Sequence, residues 1–219
     1  MTEAIELRGL RRDYGERPAL AGVDVSLREG KSLLVLGPNG SGKTTLLRIL
    51  ATLLRPTSGE ARVLGAALPA AAWKIRGRIG LLGHDALLYR DLSGRENLRF
   101  HARLHGLAPE VAEARISTLL AAVGMERRAD DRVAELSAGM RQRLAACRCV
   151  LHDPELLLLD EPDSNLDAEG RELVGALVGP APDRTRVLVS HDPERYRGEA
   201  DQVLELELGA PAAAKAGAA

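Results

Sequence analysis

The chain has 219 residues, 45% of them hydrophobic and 28% charged, with 30 basic against 31 acidic residues and a formal net charge of −1. That length predicts one domain, or one domain carrying a sizeable insertion, with ample material for a core. The near-neutral balance excludes the concentrated basic surface that nucleic acid or an acidic membrane would select, and the two cysteines, Cys147 and Cys149, exclude a disulfide scaffold. Aromatic residues are so few that the core must be built from Leu, Val, Ile and Ala. Of the basic residues only Lys31, Lys43, Lys74 and Lys215 are lysine. No stretch approaches the roughly 20 apolar residues of a membrane span. The first residues, Met1-Thr-Glu-Ala-Ile-Glu, have no secretory pattern, so a cytoplasmic location is expected, with any membrane role coming through a partner.

In chain order, short apolar runs predict strands at Ile5–Leu7, Val23–Leu27, Ser32–Leu36, Ala61–Leu64 and Ile79–Leu82. A helix is expected over Thr45–Leu53. From about residue 87 to 150 the strand signal vanishes and three helices follow. Ser93-Gly-Arg-Glu96 announces the first as a capping box, Pro109 opens the second, and the third runs from Ser137 to near Asp153-Pro154. Strands resume at Leu156–Leu159, Val187–Val189 and Val203–Leu206. Runs that are apolar throughout, such as Leu156–Leu159, suit a parallel sheet covered on both faces, so the fold class is α/β with a helical insertion. The last residues, from 209 onward, read as a low-complexity tail without order of its own.

Chemistry starts at Gly37-Pro38-Asn39-Gly40-Ser41-Gly42-Lys43-Thr44, which matches G-x-x-x-x-G-K-[ST]. It follows a strand and opens a helix that begins with Thr45. Its glycines let backbone N–H groups wrap phosphates, and the helix N-terminus adds unpaired amides and a positive dipole end. Lys43 then reaches the β- and γ-phosphates of a nucleotide, and Thr44 ligates Mg²⁺. The run Leu156-Leu-Leu-Leu-Asp160-Glu161 supplies two acids at the end of an apolar strand. Asp160 fits the role of holding Mg²⁺ through water, and Glu161 that of the base acting on the attacking water.

These two elements specify only a nucleotide triphosphatase. Leu136-Ser137-Ala138-Gly139-Met140, just upstream of the second, narrows the class: the chain resembles the ABC (ATP-binding cassette) ATPases over residues 3 to 208. The resemblance implies a RecA-like parallel-sheet core, an antiparallel β subdomain and a helical subdomain at about 87–150. It also implies that Ser137 and the Gly139 amide contact ATP held by a second subunit, although Ala138 and Met140 depart from the L-S-G-G-Q pattern. Ser164-Asn-Leu-Asp167 resembles the D-loop, which crosses the dimer interface. His191 resembles the switch histidine at the γ-phosphate, and Tyr14 the aromatic residue that stacks on adenine. His84 stands where the family carries a Mg²⁺-ligating glutamine. Its imidazole either ligates metal or holds a water, or the site merely tolerates it.

The resemblance therefore implies ATP and Mg²⁺ as ligands, a homodimer or paired cassette with composite sites, and integral membrane permease subunits as partners. The segment Leu92–Gly106, with the preceding Leu-Gly-His84, is similar to the ATP-binding subunits of haem exporters in cytochrome c maturation. Alternatives are a cassette for another substrate, a soluble ABC ATPase without a transport role, and a P-loop kinase. The kinase leaves Leu136–Met140 unexplained. His101 and His105, four apart, read as solvated surface histidines, and Arg127-Arg128 and the pair Arg141/Arg143 as solvated charges. Cys147 and Cys149 read as packing residues.

Overall fold

A computed structural model describes residues 2–190, 192–207 and 209–211. Strands β1 (Glu3–Tyr14) and β2 (Arg17–Arg28) form a long hairpin, followed by β3 (Ser32–Leu36) and helix α1 (Lys43–Leu50). Then come β4 (Ser58–Val63), β5 (Ala66–Leu68) and β6 (Ile79–Leu82). Three helices follow, α2 (Gly94–Leu104), α3 (Pro109–Ala122) and α4 (Ala138–Val150). The chain returns to the sheet with β7 (Leu156–Asp160), α5 (Ala168–Val178), β8 (Thr185–Val189), α6 (Pro193–Arg197), β9 (Gln202–Glu207) and β10 (Ala210–Pro211). Two sheets result: an antiparallel one in the order β2-β1-β4-β5, and a second in the order β10-β9-β3-β8-β7-β6. In the second, β9, β3, β8, β7 and β6 are parallel, and β10 pairs antiparallel with β9.

The apolar strands of the parallel sheet divide their side chains between two cores. Leu34, Leu36, Leu157, Leu159 and Leu188 face the layer that contains α4, whereas Leu33, Val35, Leu156, Leu158 and Val187 face α1 and the antiparallel sheet. Alternate residues point to opposite faces of a strand, so a strand buried on both sides must be apolar at every position. Every residue of β3, β7 and β8 is buried. Even Arg186, in β8, is buried, and its guanidinium reaches the hydroxyl oxygen of Ser32 and the carboxylate of Glu199. Cys147 and Cys149 both lie in the core, where burial pushes each thiol up to about 12.

The capping box at α2 is formed. Ser93 Oγ accepts from the Glu96 amide at 3.2 Å, and Glu96 accepts from the Ser93 amide at 2.8 Å. One residue on, the fully buried Asn97 accepts from the Tyr89 N–H at 2.8 Å and donates to the Tyr89 and Ser93 carbonyls. That single amide ties the segment following His84 to the first turn of α2.

Three expectations change, and helix α5 is an addition to them. It has no strong sequence signal, because Gly170 and Gly175 interrupt it; Asp167 starts it by accepting from the Gly170 amide at 2.8 Å. Ala210 and Pro211, counted with the tail, instead extend the parallel sheet at its edge; residues 212–219 lie outside the described residues. Arg143 is no solvated charge: its side chain is only 14% exposed and pairs with Asp167 Oδ1 at 3.0 Å. Nor is His101 of α2 a solvated residue, being partly buried, whereas His105, just past the helix end, is exposed as expected. His105 stacks on His152 with ring centroids 3.7 Å apart, and His101 packs edge-on against Phe100.

Burial, reinforced by the Arg148 charge, drives His101 down to about 4, and burial with the neighbouring His105 does the same to His152. The unfolded chain therefore takes up these protons near the ordinary value of about 6.5 and the folded chain only near 4. Stability is full above that upper value and declines as pH falls through the window. Denaturation midpoints measured between pH 7.5 and 5 should fall less steeply with acid in a His101→Gln/His152→Gln variant than in the wild type. Parallel profiles would contradict this.

Candidate functional site

The carboxyl ends of parallel strands are where α/β sheets bind ligands, because the loops there diverge and leave a crevice. A cavity of about 290 Å³ opens at this edge. Asn39, Gly40, Ser41, Gly42, Lys43, Thr44 and Thr45 line it from the loop after β3, Asp160 and Glu161 from the end of β7, and His84 from the segment after β6. Two segments that the sequence separates by over a hundred residues thus share one wall, and β8 runs between their strands. Thr44 Oγ1 donates to Asp160 Oδ2 across that gap at 2.9 Å.

The loop's shape depends on glycine. Gly42 has φ +98, and a Cβ there would come within 2.2 Å of the Ala19 carbonyl. Gly37 has φ +148, and a Cβ would meet the Leu206 carbonyl at 2.3 Å. Lys43 is folded into the loop, its ammonium donating to the Gly37 carbonyl at 2.7 Å and the Pro38 carbonyl at 2.9 Å. Those bonds tie the lysine back onto its own loop, and the Ser41 N–H closes a further turn on the Pro38 carbonyl at 3.2 Å. Ser41 is buried, and its Oγ has no hydrogen-bond partner among the described residues. A buried hydroxyl without a partner is costly. A phosphate oxygen bound at the helix N-terminus would supply what it lacks.

The second acid is held differently. Asp160 is buried at the strand end, whereas Glu161 leaves the strand with φ +53, a left-handed conformation uncommon for glutamate. Its N–H donates to the Val189 carbonyl at 3.0 Å, which fixes the turn against β8. The strained backbone directs the carboxylate to the cavity wall while the preceding aspartate remains in the sheet. Sequence spacing shows two adjacent acids; it does not show that the second sits on a turned backbone.

The remaining expected residues are elsewhere. Ser137 and Gly139 lie at the start of α4 and are not among the residues lining the cavity. Ser137 caps that helix by accepting from the Met140 amide at 3.2 Å, which leaves its own hydroxyl proton available to an external acceptor. Gly139 is required by close packing, since a Cβ would approach the Asn165 carbonyl to 2.8 Å. Tyr14 is about half exposed, with the Arg12 guanidinium 4.7 Å above its ring, and it does not line the cavity. Pro38 serves the loop through its carbonyl alone. His191 lies outside the described residues.

A family model described as ABC transporter matches residues 20–164, a segment that contains the phosphate loop, both acids and Ser137. The chain belongs to the ABC transporter family. This cassette is 41% identical over 206 residues to the Daunorubicin resistance ATP-binding protein DrrA3 of Streptomyces coeruleorubidus, covering 92% of this chain and 63% of that protein. It is 39% identical over 174 residues to the Nod factor export ATP-binding protein I of Cupriavidus pinatubonensis, covering 80% and 54% respectively. The cassette therefore spans between half and two thirds of those relatives' lengths. Among solved structures, it resembles an ATP-binding subunit of an ABC transporter with a TM-score of 0.88 and 25% identity, covering 95% of this chain and 88% of that one. It also resembles the ATP-binding cassette MJ0796, a dimer in a post-hydrolysis state bound to ADP and Pi. That match has a TM-score of 0.85 and 27% identity, covering 94% and 96%. The fold expected from the sequence, a parallel-sheet core with an added antiparallel sheet, is that of the ABC ATPases.

Gly42→Ala should uncouple the loop from its ligand by displacing the amides that face the phosphates. Loss of one charge-assisted bond is worth about 1.5–3 kcal/mol, so nucleotide affinity should fall roughly tenfold or more. Titration with a fluorescent ATP analogue reads this directly. Unchanged affinity would mean that the loop does not cradle the phosphates.

Proposed function

We propose that this cassette is the ATP-hydrolysing subunit of an ABC exporter, working as a dimer of cassettes on separate membrane subunits. The observation that carries the reading is the Thr44–Asp160 bond inside a cavity whose rim also holds Lys43 and Glu161. Hard oxygen donors of this kind suit Mg²⁺, which prefers hydroxyl, carboxylate and water ligands to nitrogen. Thr44 and Asp160 would hold that ion, which when bound neutralises charge on the β- and γ-phosphates. By the same preference, His84 acts better through a water than as a direct ligand.

In this reading the Gly37–Thr45 loop binds the triphosphate, and Lys43 exchanges its two loop carbonyls for phosphate oxygens. Glu161 orients a water in line with the γ-phosphate and accepts its proton. Ser137 and the Gly139 amide, which lie outside their own chain's cavity, close the site of a second copy. ATP bridging two copies favours a closed dimer, and hydrolysis releases it. Tyr14 stacks on the adenine, and His191 contacts the γ-phosphate.

Export as the direction of transport is supported by the name of one relative, the Nod factor export ATP-binding protein I. The haem-export reading draws only on the similarity of His84 and Leu92–Gly106 to that subfamily, and we place it second. Among the described residues no helix is long and apolar enough to cross a membrane. The reading accordingly places the cassette on the cytoplasmic face of the membrane, held there by permease subunits.

Glu161→Gln should keep ATP binding while lowering turnover by about 100-fold or more, the usual worth of a positioned base. With ATP and Mg²⁺ it should elute as a dimer in size-exclusion chromatography. Hydrolysis at the wild-type rate would remove Glu161 from the mechanism and with it this reading of the site.

A further inference from the structure

Between the two motifs at the end of β7 stands Asp163, which belongs to neither. It is two residues past Glu161 and one before the Ser164–Asp167 loop. The turn in which it lies is unusual on both sides, since Glu161 and Asn165 both adopt left-handed backbone, with φ +53 and +63. Non-glycine residues hold such conformations only where surrounding contacts fix them. One set of contacts comes from α4. The buried Gln142 donates to the Pro162 carbonyl at 3.1 Å, and Gly139 packs against the Asn165 carbonyl.

The other set comes from α6 and converges on Asp163. Its Oδ2 accepts a hydrogen bond from the Tyr196 hydroxyl and pairs with Arg195 Nε at 2.9 Å. The Arg195 guanidinium also sits 5.6 Å from the centre of the Tyr196 ring, so the two donors brace each other. Tyr196 is only 7% exposed and belongs to the same core as α4 and β7. Burial and the Asp163 carboxylate both push its hydroxyl well above the ordinary value, so it remains a donor at any working pH. A cavity of about 70 Å³ lies beside this group, between Pro162, Asp163, Tyr196 and the glycines Gly175 and Gly179 of the α5 end.

We infer that Asp163, gripped by Tyr196 and Arg195, is a positioning residue for hydrolysis: it fixes the Glu161–Asp167 turn so that Glu161 faces the phosphate cavity. This rests on the ATPase reading above. The geometry carries it because the carboxylate has two donors from one short helix, and because that helix begins two residues after His191 in the chain. Movement of α6 is transmitted through a charge-assisted pair to the turn that holds the base, rather than through loose packing. The Asp163 side chain does not line the cavity, so its action is on Glu161 and not on the nucleotide.

The test is steady-state ATP hydrolysis by the full chain, with nucleotide affinity and thermal melting measured on the same preparations. Tyr196→Phe and Asp163→Asn should each lower kcat by about 10- to 100-fold, the cost of a small misplacement of a catalytic group. KM and the affinity for an ATP analogue should stay within about twofold, since ground-state binding is untouched. The double variant should be little worse than either single one, because both break the same contact. Arg195→Lys should retain most of the activity that Arg195→Ala loses. Wild-type kcat in Tyr196→Phe would overturn the inference, as would a kcat loss matched by an equal loss of affinity or confined to variants whose melting temperature collapses. A wild-type chain that does not hydrolyse ATP would overturn the proposed function itself, and the inference with it.

Discussion

One hydrogen bond organises this molecule, that between Thr44 Oγ1 and Asp160 Oδ2. Thr44 stands in the first turn of α1, at the far side of the loop after β3, and Asp160 at the end of β7; the two strands are not neighbours in the sheet. For the bond to form, β8 must fill the gap between them in parallel register, and all three strands must end at the same edge. Every residue of the three strands is buried, and all but Ser32, Asp160, Thr185 and Arg186 are apolar. The sheet is thus a spacer that brings a hydroxyl and a carboxylate to hydrogen-bond distance at the mouth of a phosphate loop.

Around that contact, the structure alternates firm and strained elements. Lys43 stiffens the loop through its own carbonyls, and Asp160 is held within the strand. Glu161, one residue later, sits on a left-handed backbone anchored by Val189 on one side and by the Asp163 group on the other. A base held on a turn can respond to neighbouring elements in a way that a residue inside a strand cannot. The turn touches α4 through Gln142 and Gly139, and α6 through Asp163. Both helices adjoin positions that the family resemblance associates with the γ-phosphate, Ser137 and His191.

Much of this was legible from residue pattern. Fully apolar strands marked the parallel sheet, and Ser93-Gly-Arg-Glu96 marked the start of α2 because capping is a local interaction. The phosphate loop and both acids were readable because their chemistry fixes residue type at fixed spacing. What escaped depends on contacts between distant segments. The partial burial of His101 comes from segments outside α2, Leu87 and Arg148 among them, so that histidine looked solvated when it is not. The β1–β2 hairpin is longer than its short apolar runs suggested, because its register shifts repeatedly and many of its residues face outward. The grip on Asp163 left no sequence signature, since neither Tyr196 nor Arg195 belongs to a motif.

In the proposed reading Ser137 and Gly139, which do not line the cavity of their own chain, complete the site of a second copy. Mixing two inactive variants tests that claim most directly. Lys43→Ala removes the loop lysine from one chain, and Ser137→Arg blocks the start of α4 in the other. If the site is shared, a mixed dimer retains one complete site, and the mixture should hydrolyse ATP well above the sum of the two variants measured apart. A mixture no more active than that sum, from chains shown to associate, would contradict the account.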